Sequence, residues 1–235
     1  MFISAIITGA GDSVRMNLPY SKMLLEIGDK KVIEHVLDVF CKTKLIDEII
    51  LVLKKDEISH FKRHIVRQRY CFSEIKLVEG GNTREESTFK GLMAVDEKSQ
   101  IVICHDGARP FVTEELIVEG VRVCMQKGNA IPAVPLKDTV KEIDREKNIV
   151  INTPKRENIY AIQTPQVFKT KNIIAAYKKG LNKYTVTDDS QMLELAGEDV
   201  HIFEGDYNNI KITTREDIAI GMKILEERNA SRIRL

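Results

Sequence analysis

Hydrophobic positions along this chain switch between short continuous runs and helical spacing. Ile3–Ile7 is an apolar run that reads as a buried strand, and it stops at Gly9 and Gly11. Lys31–Cys41 carries Val32, Ile33, Val36, Leu37 and Phe40 on one helical face. Glu48–Leu53 reads as a second strand, Glu57–Arg69 as a helix and Ile75–Val78 as a short strand before Gly80-Gly81. Thr83 with Glu86 is a capping-box pattern, opening a helix that should run to about Asp96. Ile101–Cys104 is the next strand, Thr113–Lys127 the next helix and Ala130–Val134 a strand after it. Such alternation predicts an α/β fold: a three-layer, mainly parallel, Rossmann-like sheet with its site in loops at the carboxyl ends of the strands.

The period changes between Leu136 and Gln163. Val140–Asp144 and Asn148–Asn152 alternate polar and apolar residues around a polar turn, the pattern of an antiparallel hairpin. An arm this charged makes a poor core and a reasonable dimer contact. Beyond it, Asn172–Lys183, Thr187–Ala196 and Thr214–Glu227 read as helices, with Thr214 as N-cap of the last. Val200–Glu204 and Asn209–Thr213 read as strands. No repeat or linker divides the chain, so residues 1–235 are expected to form one domain with residues 136–160 as a β-arm.

Composition narrows the function classes. The formal net charge is +1, from 36 basic and 35 acidic residues, so no global field recruits nucleic acid. Tryptophan is absent and aromatics are 6%, which argues against a stacking platform for single strands. Cys41, Cys71, Cys104 and Cys124 show neither metal-ligand nor redox spacing, and a reducing cytoplasm fits them. No apolar run is long enough to span a membrane, and the N-terminus lacks the basic region of a signal peptide. His35, His60, His64 and His201 share no ligand spacing and read as surface or packing residues.

Five clusters carry candidate chemistry. Gly9-Ala10-Gly11, followed by Arg15 and Lys22, joins a glycine turn to two cations, a way to hold a polyphosphate. Gly80-Gly81-Asn82-Thr83-Arg84-Glu-Glu-Ser87 puts Arg84 and Ser87 on one side of a helix start; it reads as a nucleoside loop or as a plainly capped helix. His105-Asp106-Gly107-Ala108-Arg109-Pro110 sets charge directly after a buried strand, where a ligand, a metal or a structural ion pair must use it. Thr139 and Arg156 flank the arm. Lys211, in an otherwise apolar stretch, either faces an anion or guards a sheet edge. Asp188-Asp189 reads as complementing a helix dipole.

These motifs, with Lys137-Asp138-Thr139, Thr164-Pro165-Gln166 and Asn209-Ile-Lys211-Ile-Thr, occur in one order from about Ile3 to Ile220. In this the chain resembles the 2-C-methyl-D-erythritol 4-phosphate cytidylyltransferases of the non-mevalonate isoprenoid pathway. The resemblance implies a nucleotide-diphospho-sugar-transferase-like fold whose protruding arm builds a homodimer. It implies transfer of CMP from CTP to methylerythritol phosphate with Mg²⁺, held mainly by the CTP phosphates and also by Asp106. Ala10 and Gly11 would line the triphosphate, and Gly81, Asn82, Arg84, Ser87, Asp106 and Gly107 would bind CTP. Arg15, Lys22, Arg156 and Lys211 would be catalytic, and Asp106, Arg109, Thr139, Arg156 and Lys211 would hold the acceptor. The chain departs from the family pattern at Asp12-Ser13 and at Ser21-Lys22-Met23. A ribitol 5-phosphate cytidylyltransferase shares most of these motifs; Glu204-Gly-Asp-Tyr-Asn-Asn and Thr187-Asp-Asp look more like the methylerythritol enzyme. A nucleotide-binding regulator without turnover is the alternative of another class, and retained Arg15, Lys22 and Asp106 argue against it.

Overall fold

The computed structural model describes residues 1–11, 16, 20–66, 75–181 and 183–233, the last three through their backbone. Its centre is strand β1 (Phe2–Thr8), paired in parallel with β4 (Glu48–Leu53) on one side and β6 (Ser99–Asp106) on the other. β5 (Ile75–Glu79) extends the parallel sheet beyond β4. β1 is mostly apolar because both of its faces are covered, and its buried Ser4 donates to the Glu48 carboxylate at 2.6 Å. Ile3, Ala5 and Ile7 enter a core with Val36, Leu37 and Phe40 of α1 (Val32–Lys42) and Ile117 and Val121 of α4 (Glu114–Lys127). Ile6 enters a second core with Leu92 of α3 (Arg84–Met93), Ile173 and Tyr177 of α5 (Thr170–Gly180), and Met192 and Leu193 of α6 (Ser190–Leu195). Each fully buried aliphatic side chain of this kind contributes about 1.5–3 kcal/mol. Helices on both faces of a mostly parallel sheet are the three layers that the periodicity predicts.

The far side of the sheet is mixed. β11 (Gln166–Lys169) runs antiparallel between β6 and β7 (Asn129–Pro135). β10 (Tyr160–Ile162) pairs antiparallel with β7, and β12 (Ile202–Glu204) pairs with it in parallel. Two very short strands, β2 (Glu26–Ile27) and β3 (Lys30–Lys31), form a separate ladder before α1. The arm is the hairpin β8 (Glu142–Asp144) and β9 (Ile149–Asn152), which pair only with each other. Asn148 turns the hairpin at φ 55°, a conformation asparagine tolerates.

Several sequence expectations are corrected. Glu57–Arg69 is not one helix: a single turn, α2 (Ile58–Phe61), continues as a π-helical stretch over Lys62–Val66, and residues 67–69 lie outside the described residues. α3 ends at Met93, three residues short of Asp96, where Ala94 donates back to Gly91. α6 begins at Ser190, not at Thr187. Asn209–Thr213 forms no strand and joins no ladder; Ile212 N–H donates to the Ala108 carbonyl at 2.7 Å, pinning the segment beside the end of β6. The last helix, α7 (Glu216–Ile233), starts two residues later than expected, with the Asp217 carboxylate accepting from the N–H groups of Thr213 and Thr214.

Candidate active site

The carboxyl ends of β1, β5 and β6 meet around a cavity of about 280 Å³. Register makes the meeting possible: Thr8, the last residue of β1, pairs with Asp106, the last of β6. The loops are then stitched together by backbone bonds, Gly9 to Val52, Gly80 to Leu53 and Gly107 to Thr8, all at 2.8–2.9 Å. Such closeness excludes larger side chains. A Cβ on Gly80 would lie 2.5 Å from the Cβ of Ala10, and one on Gly107 would press the Met23 sulfur at 2.9 Å. These glycines serve close approach of loop to loop rather than contact with phosphate alone.

Ala10, Gly11, Lys22, Gly81, Asn82, Arg84, Ser87, Asp106 and Lys211 all line this cavity. Among its described lining residues three are cationic and one is acidic. Lys22 stands on a 3₁₀ turn over Lys22–Leu24, capped by Ser21 and anchored by buried Met23. Ser21-Lys22-Met23 is therefore a capped, anchored turn. Arg15, Asp12 and Ser13 lie outside the described residues. Gly107 sits behind the wall, and Arg109 directs its guanidinium to the carbonyls of Asn209 and Ile162 at 2.9 and 3.4 Å. Arg156 and Thr139 are exposed at the base of the arm, with Arg156 donating to the Lys137 carbonyl at 3.2 Å, and neither lines the cavity.

The Thr83 side chain caps α3 by accepting from Glu86 N–H at 3.1 Å. The reciprocal half of the box is displaced by one residue: Glu86 accepts from Asn82 N–H at 2.7 Å. Ser87 Oγ accepts from Gly81 N–H and donates to Thr83 carbonyl, so the loop Gly80–Ser87 holds its own shape.

Asp106 is the electrostatic centre. Its carboxylate meets Lys211 Nζ at 2.8 Å, Arg109 Nε at 3.6 Å and Arg84 at 3.8 Å. Burial alone would raise its pKa; the charges of Lys211, Arg84 and Arg109 outweigh that and hold it well below the usual carboxylate range. Lys211 thus faces an anion, and the anion is internal. His105, next to it, is no member of a charged pair. Burial pushes its pKa down to about 4, and the neutral ring bonds to Thr164 Oγ1 at 3.0 Å and the Arg109 carbonyl at 3.2 Å.

Asp189 does more than the expected complementing of a helix dipole. It does not cap α6; its carboxylate takes the Arg84 guanidinium through two bonds of 2.8 Å and the Tyr177 hydroxyl at 2.6 Å. Asp188 takes the helix-start role instead, accepting from Gln191 N–H at 3.0 Å. Asp189 follows an acid at a helix start, which hid its long-range role. A larger cavity of about 640 Å³ lies among α1, the start of α4 and α7, beside His35, Glu114 and Arg228; of the five clusters it touches only Pro110, and it holds none of the candidate site residues.

The family model for IspD, 2-C-methyl-D-erythritol 4-phosphate cytidylyltransferase, matches residues 3–227. The chain belongs to this family. It is a nucleotidyltransferase of isoprenoid precursor biosynthesis. A relative of the same name from Alkaliphilus oremlandii is 41% identical over 231 residues, covering 97% of each chain. One from Clostridium perfringens is 42% identical over 219 residues, covering 93% of this cytidylyltransferase and 96% of its own length. Among solved structures, 4-diphosphocytidyl-2C-methyl-D-erythritol synthase from Anaerococcus prevotii superposes with a TM-score of 0.85 at 45% identity over 96% of both chains. The Thermus thermophilus cytidylyltransferase gives 0.78 at 26% identity, over 96% of this chain and all of that one. The fold of this cytidylyltransferase is that of the solved relatives, and no helix among its described residues is long and apolar enough to cross a membrane.

Proposed function

We propose that the cavity at the strand ends is where this cytidylyltransferase moves CMP from CTP to 2-C-methyl-D-erythritol 4-phosphate. The observation that carries this is the gathering of Lys22, Arg84 and Lys211 with one ionised carboxylate at the carboxyl ends of parallel strands. A phosphate oxygen of the acceptor attacks the α-phosphorus of CTP, the Pα–O–Pβ bond breaks, and pyrophosphate leaves with the electron pair. The products are 4-diphosphocytidyl-2-C-methyl-D-erythritol and pyrophosphate. The attacking monoester is already an anion near neutral pH, so no general base is required. The barrier lies in bringing two anions together while charge builds on the α-phosphate. Lys22 supplies fixed positive charge at that point, and Arg15 is assigned the same role by its place in the motif. Ala10 and Gly11 border the triphosphate; Gly81, Asn82, Arg84 and Ser87 hold the cytidine, with Gly107 allowing the loops to close. Lys211 and Arg109 orient the acceptor phosphate; the Arg109 Nε faces Asp106 at 3.6 Å, beyond hydrogen-bond distance.

Asp106 is a hard, ionised oxygen donor of the kind Mg²⁺ takes, but its oxygens already face Lys211, Arg109 and Arg84, so the CTP phosphates would supply most of the metal's oxygens. Among the described residues no group of three or more His, Cys, Asp or Glu forms a metal cage. Bound there, Mg²⁺ would neutralise triphosphate charge. The arm belongs to the same reading. Ile149, Val150 and Ile151 are more than half exposed on a two-stranded hairpin, which is marginal in water by itself. Pairing with a second copy would cover them and bring Thr139 and Arg156 to the partner's cavity. A cytoplasmic homodimer with CTP and the polyol phosphate as its ligands is the assembly this implies. Nothing in the geometry favours ribitol 5-phosphate, or a role without turnover.

Two labelled nucleotides test the reaction. CTP labelled at its α-phosphorus should pass its label to the polyol product, and CTP labelled at its γ-phosphorus should pass it to pyrophosphate. Transfer of the γ-label to the acceptor would refute attack at the α-phosphorus.

A further inference from the structure

We propose that Asp189 is a positioning residue for the nucleotide, acting through Arg84. Arg84 is the first residue of α3, where a long side chain would ordinarily be free to swing. Here it is clamped. Both terminal nitrogens bond the two oxygens of Asp189 at 2.8 Å, the planar fork that only arginine offers a carboxylate. Asp189 is itself 1% exposed, and the Tyr177 hydroxyl fixes one of its oxygens from the interior.

The surroundings make the clamp stiff. Glu85, beside Arg84, accepts from Val186 N–H at 3.0 Å, so α3 and the segment ahead of α6 are joined twice. Buried Gln166 holds that segment from below, donating to Asp188 at 2.9 Å and accepting from Ser190 N–H at 3.0 Å. The result is a guanidinium that borders the cavity but stays 3.8 Å from Asp106. Without Asp189 its strongest available partner would be Asp106. It would close on that carboxylate, compete with Lys211, and leave the nucleoside loop. A pair serving the fold alone would have no need to border the cavity, yet Arg84 lines it, with its side chain 26% exposed.

The inference rests on the reading that Arg84 meets CTP, and steady-state kinetics with CTP, methylerythritol phosphate and Mg²⁺ separate the two. Asp189→Asn should raise KM for CTP about tenfold or more while KM for the acceptor stays within about twofold. Tyr177→Phe keeps the fork and should leave KM for CTP nearly unchanged, even with a lowered Tm. Should Asp189→Asn not fold, Arg84→Lys keeps the charge and Asp189 but loses the fork, and the same selective rise in KM for CTP is expected. A lowered Tm with unchanged KM for CTP in Asp189→Asn, or in Arg84→Lys, would overturn the proposal alone. A wild-type protein that does not turn over these substrates would overturn the underlying reading with it.

Discussion

Asp106 sits among three cations, and that arrangement governs what each of them does. Lys211→Ala removes the partner at 2.8 Å and frees the carboxylate toward Arg84 and Arg109. KM for the acceptor should rise more than KM for CTP; an equal rise in both would remove Lys211 from its assigned place. Lys22→Ala should lower kcat by at least about 10²-fold, as loss of a preorganised charge commonly does. Unchanged turnover in that variant would refute its role. His105 makes a prediction about stability. Its pKa falls from 6.5 to about 4 on burial, so between those values the unfolded chain binds a proton that the folded chain does not. Stability should therefore decline as pH drops from about 6.5 toward 4, by about 3 kcal/mol in all from this residue. Urea titrations across that range should show the slope, and His105→Gln should flatten it. The roles of Lys22 and Asp106 as candidates are readable from residue type and motif. The partners of Arg84 and Lys211 are not, because each lies 105 residues away along the chain.

The elements that read well are those with a long, uniform period. β1, β4, α1, α4 and the hairpin arm follow directly from runs, helical faces and alternation. Those that read poorly are short or set by tertiary partners. β10 and β11 are three and four residues long and flank Thr164-Pro165, so neither presents a strand period of its own. Asn209–Thr213 carries an alternating pattern but, instead of a ladder, makes one long-range backbone bond, from Ile212 to Ala108, beside the local turn bond from Asn209 to Asp206. Gly80 shows how an element's end depends on its neighbour. Gly80→Ala would drive a methyl against Ala10, separating the loops after β1 and β5. The expected result is a loss of about 1–3 kcal/mol of stability and weaker CTP binding. Calorimetric titration with CTP checks the second effect, and wild-type affinity would show that the loops need not touch.

At the scale of the whole molecule, a mostly parallel sheet with a topological site at its strand ends explains where the chemistry gathers. Arg156 and Thr139 stand on the arm and outside this cavity. If a second copy brings them in, Ile151→Asp should yield a monomer in sedimentation, with KM for the acceptor raised and the fold intact. A dimer that survives this change would locate the interface elsewhere. The fold and the order of motifs were legible because sheet, glycine turns and cations recur in one sequence; the acceptor is less so, because one phosphorylated polyol presents much the same anion as another. The most direct test is pyrophosphate release with Mg²⁺ across a panel of nucleotides and acceptors. Rapid release is expected only with CTP and 2-C-methyl-D-erythritol 4-phosphate together. Preference for ribitol 5-phosphate, or CTP binding with no release for any acceptor, would contradict this.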